Sequence, residues 1–80
     1  MNAIIQSKTT GEVMVAKLDD NGDAVAVSAA IPYREYYSPE SGETDYSGLW
    51  TADIEPLTDL ETEEPTTWES DTFTVLEVAK

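Results

Sequence analysis

The sequence predicts a mainly β fold: a small antiparallel sheet of four to five strands, with a long acidic connection that holds one short helical turn. A β-rich α+β layout is the alternative. Three observations predict it. Thr, Val and Gly are frequent, and apart from Ala the strong helix formers gather only in 57–64. Asn21-Gly22 stands between two apolar runs, the strongest short hairpin signal a sequence offers. Thr72–Val78 alternates β-formers and reads as a final strand.

The elements follow in order. Asn2–Lys8 is a short Ile-containing run, and Thr9-Thr10-Gly11 is a turn signal. Glu12–Leu18 carries Val13, Met14, Val15 and Leu18 and is the second strand. A two-residue Asn21-Gly22 loop then sets Leu18 opposite Val25, Ala16 opposite Val27 and Met14 opposite Ala29, which gathers apolar residues on one face. In the first hairpin a three-residue loop pairs Lys8 with Glu12 and aligns Ile4 with Ala16. A two-residue loop would align Ile5 there and flip the strand.

Pro32 ends the third strand because it cannot donate to a ladder. Tyr33–Tyr37 reads as an edge strand or a bend, Ser38–Gly48 as a loop, and Leu49–Ile54 as a short mixed strand. In Pro56–Glu64, a proline at the first position, Leu57 and Leu60 on one face and early acids suit a helical turn that Pro65 stops. No internal repeat stands out.

Eighty residues make one domain, 1–80, with a thin core. Its apolar content of 40% is too high for a disordered acidic tail. Within it, 1–32 is a hairpin scaffold, 33–71 an acidic and aromatic surface segment, and 72–80 the final strand. Seventeen acids against four bases give a net charge of −13. The charge is uneven: 1–32 holds two bases and four acids, whereas 33–80 holds two bases and thirteen acids. That much like charge opposes compaction, and it repels nucleic acid and anionic membranes while attracting basic proteins.

The absence of cysteine removes disulfides and thiolate chemistry and fits a reducing cytosol. No leader pattern is expected at Met1–Ser7, and no run approaches the ~20 apolar residues of a membrane span. The chain therefore reads as a soluble cytoplasmic protein. With no histidine, no nucleophile elbow and no glycine-rich phosphate loop, catalysis is not expected, nor is a cofactor. Asp19-Asp20-Asn21-Gly22-Asp23 fails the calcium-loop pattern: its glycine comes fourth, and the twelfth position is Ala30. It reads as a charged hairpin tip, and no metal site is expected.

The candidate binding residues are acids and aromatics. The acids are Glu40, Glu43, Asp45, Asp53, Glu55, Asp59, Glu61, Glu63, Glu64, Glu69 and Asp71. The aromatics are Tyr36, Tyr37, Tyr46 and Trp50. Several acids are two apart, which in extended chain puts them on one face about 6.7 Å from each other. That spacing is comparable to successive phosphates of a DNA strand. Tyrosine and tryptophan anchor interfaces and stack with arginine. Trp50 and Trp68 also suit the core, and of the adjacent Tyr36 and Tyr37 one points in and the other out.

In size, charge, lack of cysteine and β-rich layout, the chain resembles the small acidic inhibitors of phages and mobile elements, including anti-CRISPR proteins and anti-restriction DNA mimics. The resemblance is one of type over the whole chain, and no family motif carries a residue role across. It implies a cytoplasmic inhibitor, monomeric or dimeric, that occupies the basic groove of a CRISPR effector or restriction enzyme and blocks target DNA. The rival reading is a phage head–tail or tail assembly protein whose acidity serves solubility. A binder of basic peptides shares the same electrostatics.

Overall fold

The two hairpins foreseen near the N-terminus form the middle of the sheet. In a computed structural model, which describes residues 1–79, β1 (Asn2–Ser7), β2 (Val13–Leu18) and β3 (Ala24–Ser28) form an antiparallel meander. β6 (Ile54–Pro56) adds beside β3 and β7 (Phe73–Val78) beside β1, so the five-stranded order is β6-β3-β2-β1-β7. A separate two-stranded ribbon pairs β4 (Tyr37–Ser38) with β5 (Glu43–Thr44). The described residues contain seven strands and no helix beyond short 3-10 turns. The fold is mainly β, and the final strand lies where its alternation placed it.

Both faces of the sheet are buried. Strand alternation sends Ala3, Ile5, Met14, Ala16 and Leu18 to one face, where they pack with Ala24, Phe73, Leu57 and Trp68. Ile4, Val13 and Val15 go to the other, under Leu49, Tyr36, Tyr46 and Trp50. Ile4, Ile5 and Val15 are the largest fully buried side chains. Runs such as Ile4-Ile5 and Val13-Met14-Val15-Ala16 are apolar without a break because their strands have no solvent face. The covers are two long connections: 29–53 over the Ile4 face and 57–72 over the Ile5 face.

The hairpin registers differ from those expected. In the first, Ile4 pairs with Val15 and Ala3 with Ala16. Its loop has four residues, closed by Ser7 N–H to the Glu12 carbonyl at 2.9 Å. Neither a two- nor a three-residue loop forms, because the Ser7 hydroxyl accepts the N–H groups of Thr9 and Thr10 and stabilises the wider turn. In the second hairpin Asp19 N–H bonds the Asp23 carbonyl, and Gly22, at φ +83°, is the only one of residues 19–23 with a positive φ. That is a three-residue loop rather than the two-residue one, and it pairs Leu18 with Ala24. A bulge between Lys17 and Leu18 then restores the expected Ala16–Val27 pair. Met14 does not reach Ala29, since β3 ends at Ser28 and Ile31 bridges Val13 instead. At that end the buried Ser28 hydroxyl accepts the Val15 N–H at 3.0 Å.

Three further expectations change. Residues 38–48 hold the ribbon instead of a free loop, whereas Tyr33–Glu35 takes the bend alternative as a 3-10 turn leading into β4. Leu49–Ile54 is no strand: Ser47–Thr51 is a 3-10 turn, and β6 starts only at Ile54. No helical turn forms in 56–64. Leu57, Thr58 and Asp59 pair back with Thr66, Pro65 and Glu64 around a tight loop. Asp59 captures the Glu61 and Thr62 N–H groups at 2.7 and 3.2 Å, and this side-chain competition defeats the helix.

That loop exposes a repeat. Ser7-Lys-Thr-Thr-Gly-Glu12, Ser38-Pro-Glu-Ser-Gly-Glu43 and Asp59-Leu-Glu-Thr-Glu-Glu64 close in the same way. In each, the N–H of the fifth residue bonds the carbonyl of the first, at 2.7–2.9 Å. In each, the hydroxyl of the fourth accepts the N–H of the sixth at 3.3 Å. The fifth position is left-handed: φ +77° at Gly11, +71° at Gly42 and +59° at Glu63. Glycine reaches that region without strain, and glutamate does not.

Candidate functional site: an acidic surface with a tyrosine cluster

The Ile4-face cover carries the aromatic part of the site. Pro32 holds an extended conformation that starts the turn, and the turn stacks the tyrosines. Tyr33 lies edge-on to Tyr36 at 5.4 Å and stacks on Tyr37 at 4.6 Å. Tyr36 in turn meets Tyr46 at 5.6 Å. Tyr36 and Tyr46 pack inward on the Ile4 cluster, while Tyr37 stacks on the exposed Tyr33. Both rings are half-buried: Tyr36 lies on the Ile4 cluster, and Tyr37 is covered by Tyr33. Burial, then the neighbouring Tyr46 and Tyr33, push the Tyr36 hydroxyl above its ordinary pKa of 10.0.

Carboxylates rim this cluster. A shallow concavity over Tyr36 and Tyr37 is bordered by Glu35, Glu40, Glu43 and Asp45, with Arg34 as its one base. Asp45 also has a structural task. Its carboxylate accepts the Ser47 N–H at 2.9 Å, which begins the Ser47–Thr51 turn and holds its pKa below the usual carboxylate value. Its own N–H donates to the Tyr36 carbonyl at 2.7 Å, joining the two halves of the cluster.

The remaining candidates lie elsewhere. Asp53 and Glu55 flank Ile54 at the β6 edge. Asp59, Glu61, Glu63 and Glu64 belong to the excursion on the opposite side of the sheet, and Glu69 and Asp71 to the short turn before β7. All eleven acids from Glu40 to Asp71 are exposed. They form no single extended ladder: Asp59, Glu61 and Glu63 curl around a turn, so their spacing is not that of a strand. Trp50 and Trp68 are half-buried on opposite faces.

The arrangement can bind and steer cations. Among the described residues no group of three or more acids is placed to hold a metal ion, and no helix is long and apolar enough to cross a membrane. Sequence reasoning placed Tyr33, the exposed end of the stack, beside the acidic region without counting it among the partner contacts, and it missed the turn-forming roles of Asp45 and Asp59. An Asx residue two before the chain reversal was the available signal. No family model, curated protein or solved structure matched the chain.

Proposed function

We propose that this protein is an inhibitory binding protein that occupies the nucleic-acid groove of a basic partner, of the CRISPR-effector or restriction-enzyme kind, and keeps target DNA out. One observation carries the reading. The molecule is elongated, 45 × 25 × 23 Å, and bears 13 net negative charges along it. That is one charge per about 3.5 Å of the long axis, the axial density of one DNA strand and half that of the duplex. The acids sit on covers applied to opposite faces of the sheet, so the rod is charged around its girth, as a duplex is. The tyrosine stack adds a place where a partner arginine gains both a π face and a carboxylate.

The test is competition. A DNA-binding protein captured from the native host is loaded with labelled duplex, and displacement is followed against salt. Displacement that weakens steeply as salt rises is expected. Two double reversals separate the covers: Glu40→Lys with Glu43→Lys, and Glu61→Lys with Glu64→Lys. Asp59 is left alone because it builds its turn. Displacement unchanged in the protein carrying all four reversals would sink the reading.

A further inference from the structure

The two edges of the sheet are built differently. β6 is three residues long, ends in Pro56, carries Glu55 within it and is preceded by Asp53, all devices that discourage a further strand. β7 has six residues, β1 on one side and, among the described residues, no strand on the other. Glu77 is the one charged residue within it, and Val75 and Val78 remain 43% and 42% exposed.

The phase of its hydrogen bonds shows which groups are free. Lys8 N–H bonds the Thr72 carbonyl, and Ala79 N–H bonds the Asn2 carbonyl. Antiparallel pairing alternates, so the Thr72 carbonyl and the main-chain groups of Thr74 turn to β1, whereas Phe73 and Val75 turn theirs to the open edge; the Thr72 N–H closes the preceding turn on the Glu69 carbonyl. The register shift opposite Ile4/Ile5 resets the phase, and Val78 again points outward. At each end of this edge lies a cleft with a tryptophan and a carboxylate. Trp68, Glu69 and Phe73 line the first together with Ser7 and Thr9 at the end of β1, so it opens on the Ile5 face. Trp50, Val78 and Glu77 line the second.

We propose that β7 is a peptide-docking edge: an extended segment of the partner, alternating apolar residues with lysine or arginine, adds to the sheet there, so that its apolar side chains meet the tryptophan cleft on one face and its basic side chains the cleft on the other. Main-chain pairing supplies affinity and the clefts supply selectivity. The charge of the occupant follows from the field. At −13 the molecule repels a second copy and draws in a basic strand, and Glu69 and Glu77 stand at the clefts to receive it. The proposal rests on the reading of a basic partner but adds a contact that charge alone does not require.

The probe is an eight-residue peptide alternating valine and lysine. Its control has the same charge, with proline in place of valine so that it cannot pair. The alternating peptide is expected to shift the amide resonances of Phe73, Val75 and Val78 and the fluorescence of Trp50 and Trp68. The control is expected to do neither. Val75→Pro removes an outward N–H while leaving the β1 ladder intact, and it is expected to weaken the alternating peptide roughly tenfold. The wild-type resonances give the answer even where that variant folds poorly. Equal binding of both peptides, or shifts confined to 33–48 and 59–64, overturns the proposal. So does a dimer formed without peptide through the same amides, which would assign the edge to a second copy. Loss of DNA displacement on charge reversal with no effect of Val75→Pro would retain the inhibitor reading and reject the edge. The converse would retain the edge and reject the inhibitor.

Discussion

The two covers of the sheet solve one problem by different means. The Ile4-face cover is fastened by side chains: Leu49 is buried, and Ile31, Tyr36, Tyr46, Trp50 and Ala52 pack beside it. The Ile5-face cover has only Leu57 and Trp68 as apolar contacts. It is fastened mainly by main-chain bonds. Trp68 and Ala24 exchange N–H to carbonyl bonds at 2.9 and 3.0 Å, and Ser70 N–H reaches the Asp23 carboxylate at 3.0 Å. The first cover therefore belongs to the core, and the second resembles a strap. A strap with few buried apolar contacts and many accessible hydrogen bonds opens locally before the whole domain unfolds.

Mutations can break this contrast, beginning with the largest effect. Leu49→Ala should cost about 3 kcal/mol by leaving a cavity over Ile4 and Val15. Urea unfolding should show it as a lower midpoint with an unchanged slope. If the loss is small, the first cover is not part of the core. Trp68→Ala removes the main apolar anchor of the strap and should cost about 2 kcal/mol, since the ring is only half-buried. Amide exchange should accelerate in 57–72 and leave 36–52 unaffected. Uniform acceleration along the chain would show that the strap does not open alone.

The shared loop permits a matched test, because one copy lies in each cover. Gly42→Ala should destabilise by about 1 kcal/mol, purely through the left-handed backbone, as no atom lies within 4 Å of the added carbon. Glu63→Gly should stabilise by a similar amount, about 1 kcal/mol, by relieving the same conformation. Melting temperatures moving in opposite directions would establish the loops as equivalent; two shifts of the same sign would not.

The smallest effect is on pH dependence. The Tyr36 pKa is raised in the folded state, so its contribution is complete below pH 10.0 and is lost as pH rises through the folded value. Asp45 is shifted the other way: its contribution is present above 3.8 and is lost as pH falls through the depressed value. Tyr36 is packed in the first cover, on the Ile4 cluster. Alkaline titration should therefore loosen 33–52 before 57–72. Tyrosinate absorbance followed alongside amide spectra would reveal the reverse order if the assignment is mistaken.

Much of the sheet was legible in the sequence. Short apolar runs, the Asn21-Gly22 signal and the alternation of Thr72–Val78 placed β1, β2, β3 and β7, because such patterns report burial directly. Register was not legible, because Ser7 and Asp19 lengthen their loops through side-chain bonds that apolar patterning does not contain. The Pro56–Glu64 helix failed for the same reason: Asp59 offered the backbone a turn. The three-loop repeat stayed hidden because the middle residues differ and glutamate stands in one copy where glycine stands in the others. As for the site, exposure of the acids followed from their chemistry, whereas their division between two faces did not.

By itself, then, the sequence determined the all-β class, the core strands and the net charge, since each depends on composition or on neighbours along the chain. Only the tertiary structure decided that a long acidic connection is two covers on opposite faces, that the exposed acids are divided between them, and that β7 ends the sheet with β1 as its one partner strand among the described residues. These depend on which strands become neighbours. That is settled by long-range burial of both faces of a single sheet, and no local pattern encodes it.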